Sequence, residues 1–592
     1  MITSRQYPKL DPYLIWGLDS DFKGSKPPRR NDSQQRLLPI AVELSKGQDF
    51  SHVGSLMTAP KAYKDGTRFL TGTVSETNLH ELLPLVKRLK LGLPSTPGAL
   101  ALAEMGGLGG GVTPLIGFID NGIGFLNRHF KDPQGNLRIF SLWDQEDCVT
   151  PCSPWATLDF GYGRELRGAA VKDWLKKQGT AANSEEDLYA LLGYEPCRKR
   201  LAHGTHVMDL AAGNKSALGR FGDLNDEASK APIIAVQLPW KPFKDTSSSS
   251  LCVHLLDGLR YILGLAGKIR PVIINVSDGA YAGSHDGNSL LECAIDDLLV
   301  EYPKLTLVIA AGNGYEQKLH GAWSGLETAP QLKWRVLPDT KTDSFLEIWC
   351  PRKNNVSITL TSPEGRTVTV KLGESQALVG LDKKTQIGGV YSSTDTDLNG
   401  SDRAMFLVAV APTRPKIPSN PTAPHGVWII GVNGSTTFDA YIQRNNPALG
   451  DRGPRRQSYF IDDRKKPYVT GKGTLNNLAT GERPIVVGGY YLRGQSFDPK
   501  SGKSSRVASY SSAGPGRKGS VQGVNVLAPS DDSPVLHGLL ASGVRSGTSV
   551  RMDGTSVAAP IVTRFIANSY DQSVVGVSAN LPLLSSLYDQ RK

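Results

Sequence analysis

The sequence predicts an α/β fold: a parallel sheet flanked by helices, interrupted by an inserted antiparallel β-sandwich or jelly-roll domain. Two observations predict it. Short apolar runs alternate with helical patterns over residues 101–327, and this character resumes over residues 466–592. Between them, residues 328–465 alternate polar and apolar positions with period two and hold no helical pattern. One domain inserted into another explains this order more simply than three separate domains.

The N-terminal part of the chain predicts two smaller pieces. Residues 1–35 are polar, charged and rich in proline, so we expect a flexible arm. Residues 36–100 predict a small α/β unit with strands at PIAVELS and TRFLTGTVS. A helix capped by Ser75 should follow, because leucines recur at helical spacing as far as Leu89, and Pro84 should kink it.

The first α/β part predicts a parallel sheet covered on both sides. Its strand runs are LIGFID, PIIAVQL, PVIINVS and LTLVIAAG. They are apolar on both faces and are separated by helical stretches such as LCVHLLDGLRYILG, which is typical of strands buried between helix layers. After the insertion, the runs PIVVGGYY and GVNVLAP and the helical AAPIVTRFIANSY predict the rest of the same sheet.

The insertion predicts an antiparallel sandwich. Its runs include SFLEIWC, VSITLTS, RTVTVKL, AMFLVAVAP and HGVWIIGVNG. They bring no acid, base and nucleophile together in the sequence, so we expect a domain that binds or positions a protein partner rather than a second active site.

Composition and charge exclude several classes of function. The 67 Lys and Arg residues exceed the 56 Asp and Glu residues by 11, but the basic residues are thinly spread and accompany no nucleic-acid-binding motif. No N-terminal apolar core resembles a secretory signal, and no apolar run is long enough to cross a bilayer. Six cysteines in so long a chain form no disulfide framework. We therefore expect a cytoplasmic protein with reduced thiols and no nucleic-acid or membrane partner.

Residues that can carry chemistry follow the predicted strands. Asp120 ends LIGFID, the pair Gly312 and Asn313 follows LTLVIAA, and His203 lies just before a helix with His206 one turn further on. The carboxyl ends of parallel strands are where such sheets build sites. Each residue also has a structural interpretation, because Asp-Asn-Gly forms turns and an asparagine can cap a helix. The His-x2-His pair lacks a third metal ligand.

The stretch SGTSVRMDGTSVAAP offers two serines, Ser549 and Ser556, in the same local context. Small residues and then Pro560 follow Ser556, which predicts a helix that begins at the serine. The free N–H groups and the dipole of a helix start favour developing negative charge. Ser549 is followed by a predicted loop, so Ser556 is the candidate nucleophile.

Four motifs in one order carry a resemblance to a known family. IGFIDNGIG, HGTHV, AAGNG and GTSVAAP resemble the motifs of the subtilisin-like serine peptidases, the subtilases, whose triad order is Asp, His, Ser. INVSDG, ASYSSAGP and GVNVLAPSD are similar to further segments of that family. The resemblance covers about 101–327 and 466–570. Two departures are Asn121, where the family has Thr or Ser, and Asp278, where it has an apolar residue.

The resemblance implies a subtilisin-like serine endopeptidase that acts on protein or peptide substrates. Its triad would be Asp120, His203 and Ser556, with the Asn313 side chain and the Ser556 N–H as the oxyanion hole. The substrate-binding residues that it implies are Ser277, Asp278, Gly279 and Gly312. No cofactor is needed; relatives bind structural calcium, but no diagnostic calcium loop supports it here. The small N-terminal unit is similar to inhibitory propeptides, although a plain structural domain explains it equally well.

Alternative functions remain open at this point. The chain could be a catalytically decayed pseudoprotease that binds partners through the sandwich, or an esterase or amidase that uses the same triad. The carboxylates of Asp278 and Asp286 also raise the hypothesis that the enzyme prefers Lys or Arg upstream of the cleaved bond. The competing interpretation is that Asp278 points to solvent or pairs with a basic residue of the chain itself.

Overall fold

A computed structural model gives the fold of the described residues. These are residues 10–20, 29–30, 35–44, 50–59, 68–92, 113–146, 154–158, 160–178, 184–198, 202–214, 225–239, 249–325, 330–352, 355–396, 402–414, 422–435, 437–445, 456–498, 503–517 and 523–570. Cys148, Cys152 and the boundary predicted at residue 100 lie outside them.

The N-terminal unit is a small antiparallel sheet with short helices. Its elements are α1 (Pro12–Asp19), β1 (Arg29–Arg30), β2 (Arg36–Leu44), α2 (Phe50–Leu56), β3 (Met57–Thr58), β4 (Phe69–Ser75), α3 (Glu76–Leu82) and β5 (Val86–Leu91). The strands pair in the order β1-β2-β4-β3, and β5 also pairs with β2.

Two predictions for this unit are wrong. The predicted arm contains helix α1, which Asp11 caps and whose residues Tyr13 to Trp16 are buried. The polar, Pro-rich surroundings hid this short apolar stretch. The helix capped by Ser75 ends at Leu82, a short 3-10 turn follows at Leu83–Leu85, and Val86–Leu91 form strand β5 instead of a kinked helix. Pairing with β2 satisfies the backbone there, and Leu89 is buried.

The first α/β part begins the large sheet. Its elements are β6 (Leu115–Asp120), β7 (Ile139–Asp144), β8 (Arg164–Arg167), α4 (Gly168–Gln178), α5 (Glu185–Leu191), α6 (Glu195–Arg198), α7 (His203–Ala212), α8 (Glu227–Lys230), β9 (Ile233–Gln237), α9 (Ser249–Ala266), β10 (Val272–Val276), α10 (Leu290–Glu301) and β11 (Leu305–Ala310). Helix α7 starts at His203 itself, not after it as the sequence predicted.

The insertion is an antiparallel sandwich of a seven-stranded and a five-stranded sheet. Its strands are β12 (His320–Ser324), β13 (Leu332–Val336), β14 (Ser344–Pro351), β15 (Ser357–Thr361), β16 (Thr367–Lys371), β17 (Ser375–Val379), β18 (Gln386–Thr396), β19 (Asp402–Val410), β20 (Gly426–Asn433), β21 (Thr437–Ile442), β22 (Tyr459–Ile461) and β23 (Val469–Thr470). The sheets run β17-β18-β19-β14-β21-β12-β23 and β16-β15-β20-β13-β22. The sandwich thus starts at His320 and ends at Thr470, slightly wider than the predicted 328–465.

The last part completes the large sheet. Its elements are β24 (Ile485–Tyr491), β25 (Ser496–Asp498), β26 (Lys503–Ser505), β27 (Val526–Asp531), β28 (Leu539–Ser542), β29 (Ser549–Met552) and α11 (Thr555–Asn568). The eight strands run β27-β24-β11-β10-β6-β9-β7-β8, and every pair except β7 with β8 is parallel. One apolar core contains residues of α7 and α11, and another contains residues of α9 and α10. The fold is therefore the predicted subtilisin-like α/β sheet with an inserted domain.

The units are packed into one another. A single apolar core joins α1 and the N-terminal sheet to the sandwich, and includes Trp16, Leu38 and Phe406. The N-terminal sheet also lies against α9, where the Thr71 hydroxyl donates to Asp257 Oδ1 at 2.5 Å.

The described cysteines are free thiols. Among the described helices, none combines the length and the apolar character that a membrane span requires.

Candidate active site

Asp120 and His203 lie against each other at the carboxyl end of β6. Asp120 is the last residue of that strand and is 3% exposed, and His203 is the first residue of α7. Nδ1 of His203 lies 2.6 Å from Oδ1 of Asp120. Burial opposes protonation of the imidazole, but the charge and the hydrogen bond of Asp120 outweigh it, so the pKa of His203 is raised. Because a carboxylate only accepts hydrogen bonds, it holds the proton on Nδ1 and leaves Nε2 as the basic nitrogen.

The loop after Asp120 is held by a glutamine on the neighbouring strand. Oε1 of Gln237 accepts from the N–H groups of Gly122 at 2.9 Å and Ile123 at 3.1 Å. Its Nε2 donates to Oδ1 of Asn121 at 3.0 Å. The Thr205 hydroxyl of α7 donates to the carbonyl of Gly122 at 2.6 Å, which ties the helix to the loop. The departure at Asn121 is therefore accommodated by a side-chain bond to Gln237.

Asn313 is oriented by the residue before the candidate nucleophile. Its Oδ1 accepts from the backbone N–H of Thr555 at 2.9 Å and from the Thr555 hydroxyl at 3.1 Å. The same hydroxyl accepts from the N–H of Gly312 at 3.0 Å, and Gly312 has a φ of 105° that favours glycine. Because the carbonyl oxygen of the Asn313 amide is engaged, its Nδ2 is the group left to face another partner.

Ser556 and the Asn313 amide border one small space at the start of α11. Ser556 is the second residue of that helix and is 8% exposed. A Cβ on Gly554 would lie 2.9 Å from Nδ2 of Asn313 and 3.3 Å from Oγ of Ser556. The glycine, with a φ of 124°, therefore keeps this space open. The N–H of Ser556 is in the first helical turn, where amides lack intrahelical partners.

Oγ of Ser556 and the His203 ring are not hydrogen-bonded to each other in the described structure. Such bonds are often long without substrate and tighten when it binds. The structure gives the two remaining candidates, Ser549 and His206, other surroundings. Ser549 is exposed on strand β29 of the β28–β29 hairpin, so the prediction that it lies in a loop is wrong. His206 is buried and bonds the carbonyl of Leu539 at 2.9 Å, and burial lowers its pKa to about 4.

The implied substrate-binding residues lie directly beyond β10. The Ser277 hydroxyl donates to the backbone carbonyl of Ser556 at 3.1 Å, so its side chain ties this segment to α11. A Cβ on Gly279 would lie 2.6 Å from Cγ of Asn476, which explains the glycine by close packing. Gly312 contacts Thr555 as described above. The Ser277 hydroxyl thus joins the segment after β10 to the backbone of the candidate nucleophile.

The two carboxylates predicted to select a basic substrate are both paired within the chain. Oδ1 of Asp278 lies 3.5 Å from a guanidinium nitrogen of Arg444, which follows β21 of the sandwich. Asp286 is buried between Arg403 and Arg517, and Oδ2 lies 2.8 Å from the latter. The hypothesis of a Lys or Arg preference through Asp286 is therefore wrong, and Asp278 follows the competing interpretation.

Several site residues were missed from the sequence. Thr555 is part of the quoted GTSVAAP motif, and Gln237 is the second-last residue of the quoted run PIIAVQL, so their positions were visible but their roles were not. The hydroxyl of Tyr510, within ASYSSAGP, accepts from the N–H of Gly554 at 3.0 Å and so supports the same loop. Arg444 carried no signal, because it belongs to another domain.

The comparison with known families decides the identity. The profile of the Subtilase family matches residues 172–573. The chain belongs to the subtilase family. It is therefore a subtilisin-like serine peptidase, and its substrates are peptides or proteins. A search of curated proteins returned no match.

Solved structures that are similar to this subtilase include two proteases. The CspB protease of Clostridium perfringens is 21% identical with a TM-score of 0.55, over 78% of this chain and 82% of that one. Fervidolysin from Fervidobacterium pennivorans, a keratinolytic enzyme related to subtilisin, is 11% identical with a TM-score of 0.36, over 91% of this chain and 55% of that one. At this identity the CspB likeness supports the fold alone.

Proposed function

We propose that this subtilase is a serine endopeptidase whose triad is Asp120, His203 and Ser556. The observation that carries the proposal is the pair of Asp120 and His203 at 2.6 Å, on a sheet whose α11 presents a buried serine beside the Asn313 amide. The decayed-scaffold alternative has no support in these contacts, because the residue types that the chemistry needs, an aspartate, a histidine, an asparagine and a serine, are all retained. The esterase or amidase alternative would use the same groups, and no observation favours it.

The reaction would proceed through an acyl-enzyme. Nε2 of His203 accepts the Ser556 hydroxyl proton as Oγ attacks the scissile carbonyl carbon. Asp120 stabilises the imidazolium that forms. When the C–N bond breaks, His203 returns the proton to the leaving amine. Water then gives one proton to Nε2 of His203 as its oxygen attacks the acyl carbon. His203 returns that proton to Oγ of Ser556 as the ester C–O bond breaks, which frees the carboxylic acid and restores the serine hydroxyl.

The tetrahedral oxyanion would be held by two donors, Nδ2 of Asn313 and the N–H of Ser556. The engaged Oδ1 of Asn313 supports this role, because Thr555 fixes the amide with its nitrogen outward. The start of α11 adds its dipole to the same side. Removing one such donor typically costs about 10²–10³ in rate.

We propose that the N-terminal unit acts as an internal chaperone or inhibitor. Its support is the polar contact with the two helices on one face of the sheet. Arg68 lies 3.3 Å from Asp297 of α10, and Arg260 of α9 donates to the carbonyl of Phe69 at 2.7 Å. The described contacts place this unit on the helix layer and on the sandwich.

We propose that the sandwich positions the substrate-binding segment. Oε1 of Gln443, just after β21, accepts from the N–H groups of Tyr281 at 3.0 Å and Ala282 at 3.3 Å. The ring of His285 stacks on Tyr441 at 3.9 Å. These contacts favour a role of the sandwich in supporting the substrate-binding segment. A short linker in place of the sandwich would lack them. The outer surface of the sandwich would remain free to bind a protein partner.

The experiment that tests the endopeptidase compares Ser556→Ala with its matched control, Ser549→Ala. With a peptide substrate, we expect the first variant to lose orders of magnitude in kcat. The second should keep most of the activity, because Ser549 is exposed on a hairpin. Equal losses in the two variants would refute the assignment of the nucleophile.

A further inference from the structure

A charged pair joins the substrate-binding segment, residues 277–279, to the inserted sandwich. Asp278 comes from the segment after β10, and Arg444 comes from the sandwich, with 3.5 Å between Oδ1 and the nearest guanidinium nitrogen. Their side chains are 21% and 36% exposed, so both are partly accessible to solvent. Next to Asp278, Ser277 bonds the backbone of Ser556, which places the pair near the candidate nucleophile.

The position of Arg444 is fixed by the backbone beside it. Oε1 of Gln443 accepts from three N–H groups, those of Tyr281, Ala282 and Arg444 itself. The N–H of Gln443 donates to the carbonyl of Phe345 at 2.9 Å on β14. Arg444 is therefore held by the same glutamine that supports the substrate-binding segment. Its guanidinium projects from a fixed base rather than from a free surface loop.

The charges of the pair also act on the catalytic centre. Burial and Asp120 dominate the pKa of His203, and the next two influences are Asp278, which raises it, and Arg444, which lowers it. Both charges therefore lie within electrostatic reach of the histidine.

The hydrogen-bonding capacity of the pair is uneven. Oδ1 of Asp278 already accepts from the N–H of Gly279 at 2.8 Å, in addition to the contact with Arg444. A guanidinium carries several N–H donors in a planar fork, and one long contact engages only part of that capacity. A basic substrate side chain would meet a carboxylate that is already paired and a cation of its own sign. An acidic side chain would meet donors that suit a carboxylate.

We propose that Arg444 is a specificity-determining residue, supplied by the inserted sandwich, which favours Asp or Glu upstream of the cleaved bond. The proposal rests on the proposed endopeptidase function, with substrate lying along residues 277–279. It reverses the sign of the preference that Asp278 alone indicates.

The expected preference is modest because the pair is partly exposed. Ion pairs in such positions contribute little, so we expect kcat/KM for a peptide with Glu to exceed that for its Gln twin by about 2- to 5-fold. The preference should shrink in salt, since the screening length falls from about 10 Å at 0.1 M to about 3 Å at 1 M.

The test uses peptides that differ only in carrying Glu, Gln or Lys at successive positions before the cleaved bond. We expect the full-length enzyme to prefer Glu at one position. Arg444→Gln should abolish that preference while keeping cleavage of the Gln peptide, and Asp278→Asn should increase it. The matched control is Arg352→Gln, because Arg352 also forms an ion pair in which both side chains are exposed to solvent, with Asp402. Arg352 is seven residues beyond Phe345, about 23 Å along the strand direction, and its variant should keep the wild-type preference.

The two proposals fail in different ways. If wild type cleaves the Gln peptide and Ser556→Ala does not, the endopeptidase stands whatever the charge preference is. Equal rates on all three peptides would then overturn the role of Arg444 alone. Arg444→Gln variants that lose activity equally on all three peptides would also overturn it, because Arg444 would then serve the fold and not selection.

Discussion

Replacing Thr555 by valine removes one hydroxyl and leaves the shape of the side chain unchanged. That hydroxyl donates to Oδ1 of Asn313 at 3.1 Å and accepts from the N–H of Gly312 at 3.0 Å. Thr555 is 1% exposed, so water cannot take over either bond. The N–H of Thr555, 2.9 Å from Oδ1, remains as the one anchor of the Asn313 amide. We therefore expect an amide that is still present but is oriented less firmly.

The magnitude follows from the bonds that are lost. Leaving the part-buried N–H of Gly312 without its partner costs at most about 1–3 kcal/mol, and this loss should lower the unfolding temperature. Complete loss of the Asn313 donor would cost about 10²–10³ in kcat. Because one of the two anchors stays, we expect Thr555→Val to lower kcat by about 10- to 100-fold, with a much smaller change in KM.

The assay is steady-state cleavage of a peptide by wild type, Thr555→Val, Asn313→Ala and the double variant. Thr555→Ser keeps the hydroxyl and is the matched control, with activity near that of wild type. If Thr555 acts through Asn313, valine should have little further effect once Asn313 is alanine. Fully multiplicative losses in the double variant, or an equal loss in Thr555→Ser, would refute the reasoning.

Three further predictions concern stability, pH and the N-terminal unit. Asp286→Asn should destabilise the protein by about 3–5 kcal/mol, because two buried arginines lose their counter-charge. Thermal unfolding beside the exposed-pair control Asp402→Asn, which should stay near wild type, measures this. His203 must be neutral to act as a base and its pKa is raised, so kcat/KM should fall with acid at a midpoint above pH 6.5, and a midpoint below that value would contradict the geometry. A chain that begins at residue 101 should refold poorly unless residues 1–100 are added in trans, and full activity without them would exclude the chaperone role.

Much of the parallel sheet could be predicted because each strand has a local sequence signal. LIGFID is apolar on both faces and the structure has β6 there, with all its residues buried. Two N-terminal elements could not be predicted. The apolar residues of α1 form a buried helix because β18 and β19 of the sandwich pack against it, and the local sequence holds no sign of that contact. The leucines at 86–91 fit helical spacing as well as strand alternation, and pairing with β2 decides between the two.

Some features of the candidate site could likewise be predicted from the sequence and others could not. The choice of Ser556 could be made from sequence, since small residues and a helix start follow it alone. The surroundings of Asp278 could not, because its partner Arg444 comes from the sandwich and local sequence holds no sign of that contact. The same holds for Asp286, whose burial depends on Arg403 of β19 and on Arg517.

The central claim is that Ser556 is the nucleophile activated by His203. The most direct measurement is reaction of the full chain with a fluorophosphonate, followed by peptide mass spectrometry to locate the adduct. We predict one adduct on Ser556, absent from Ser556→Ala, strongly slowed in His203→Ala and unchanged in Ser549→Ala. An adduct on Ser549, or equal labelling of wild type and His203→Ala, would contradict it.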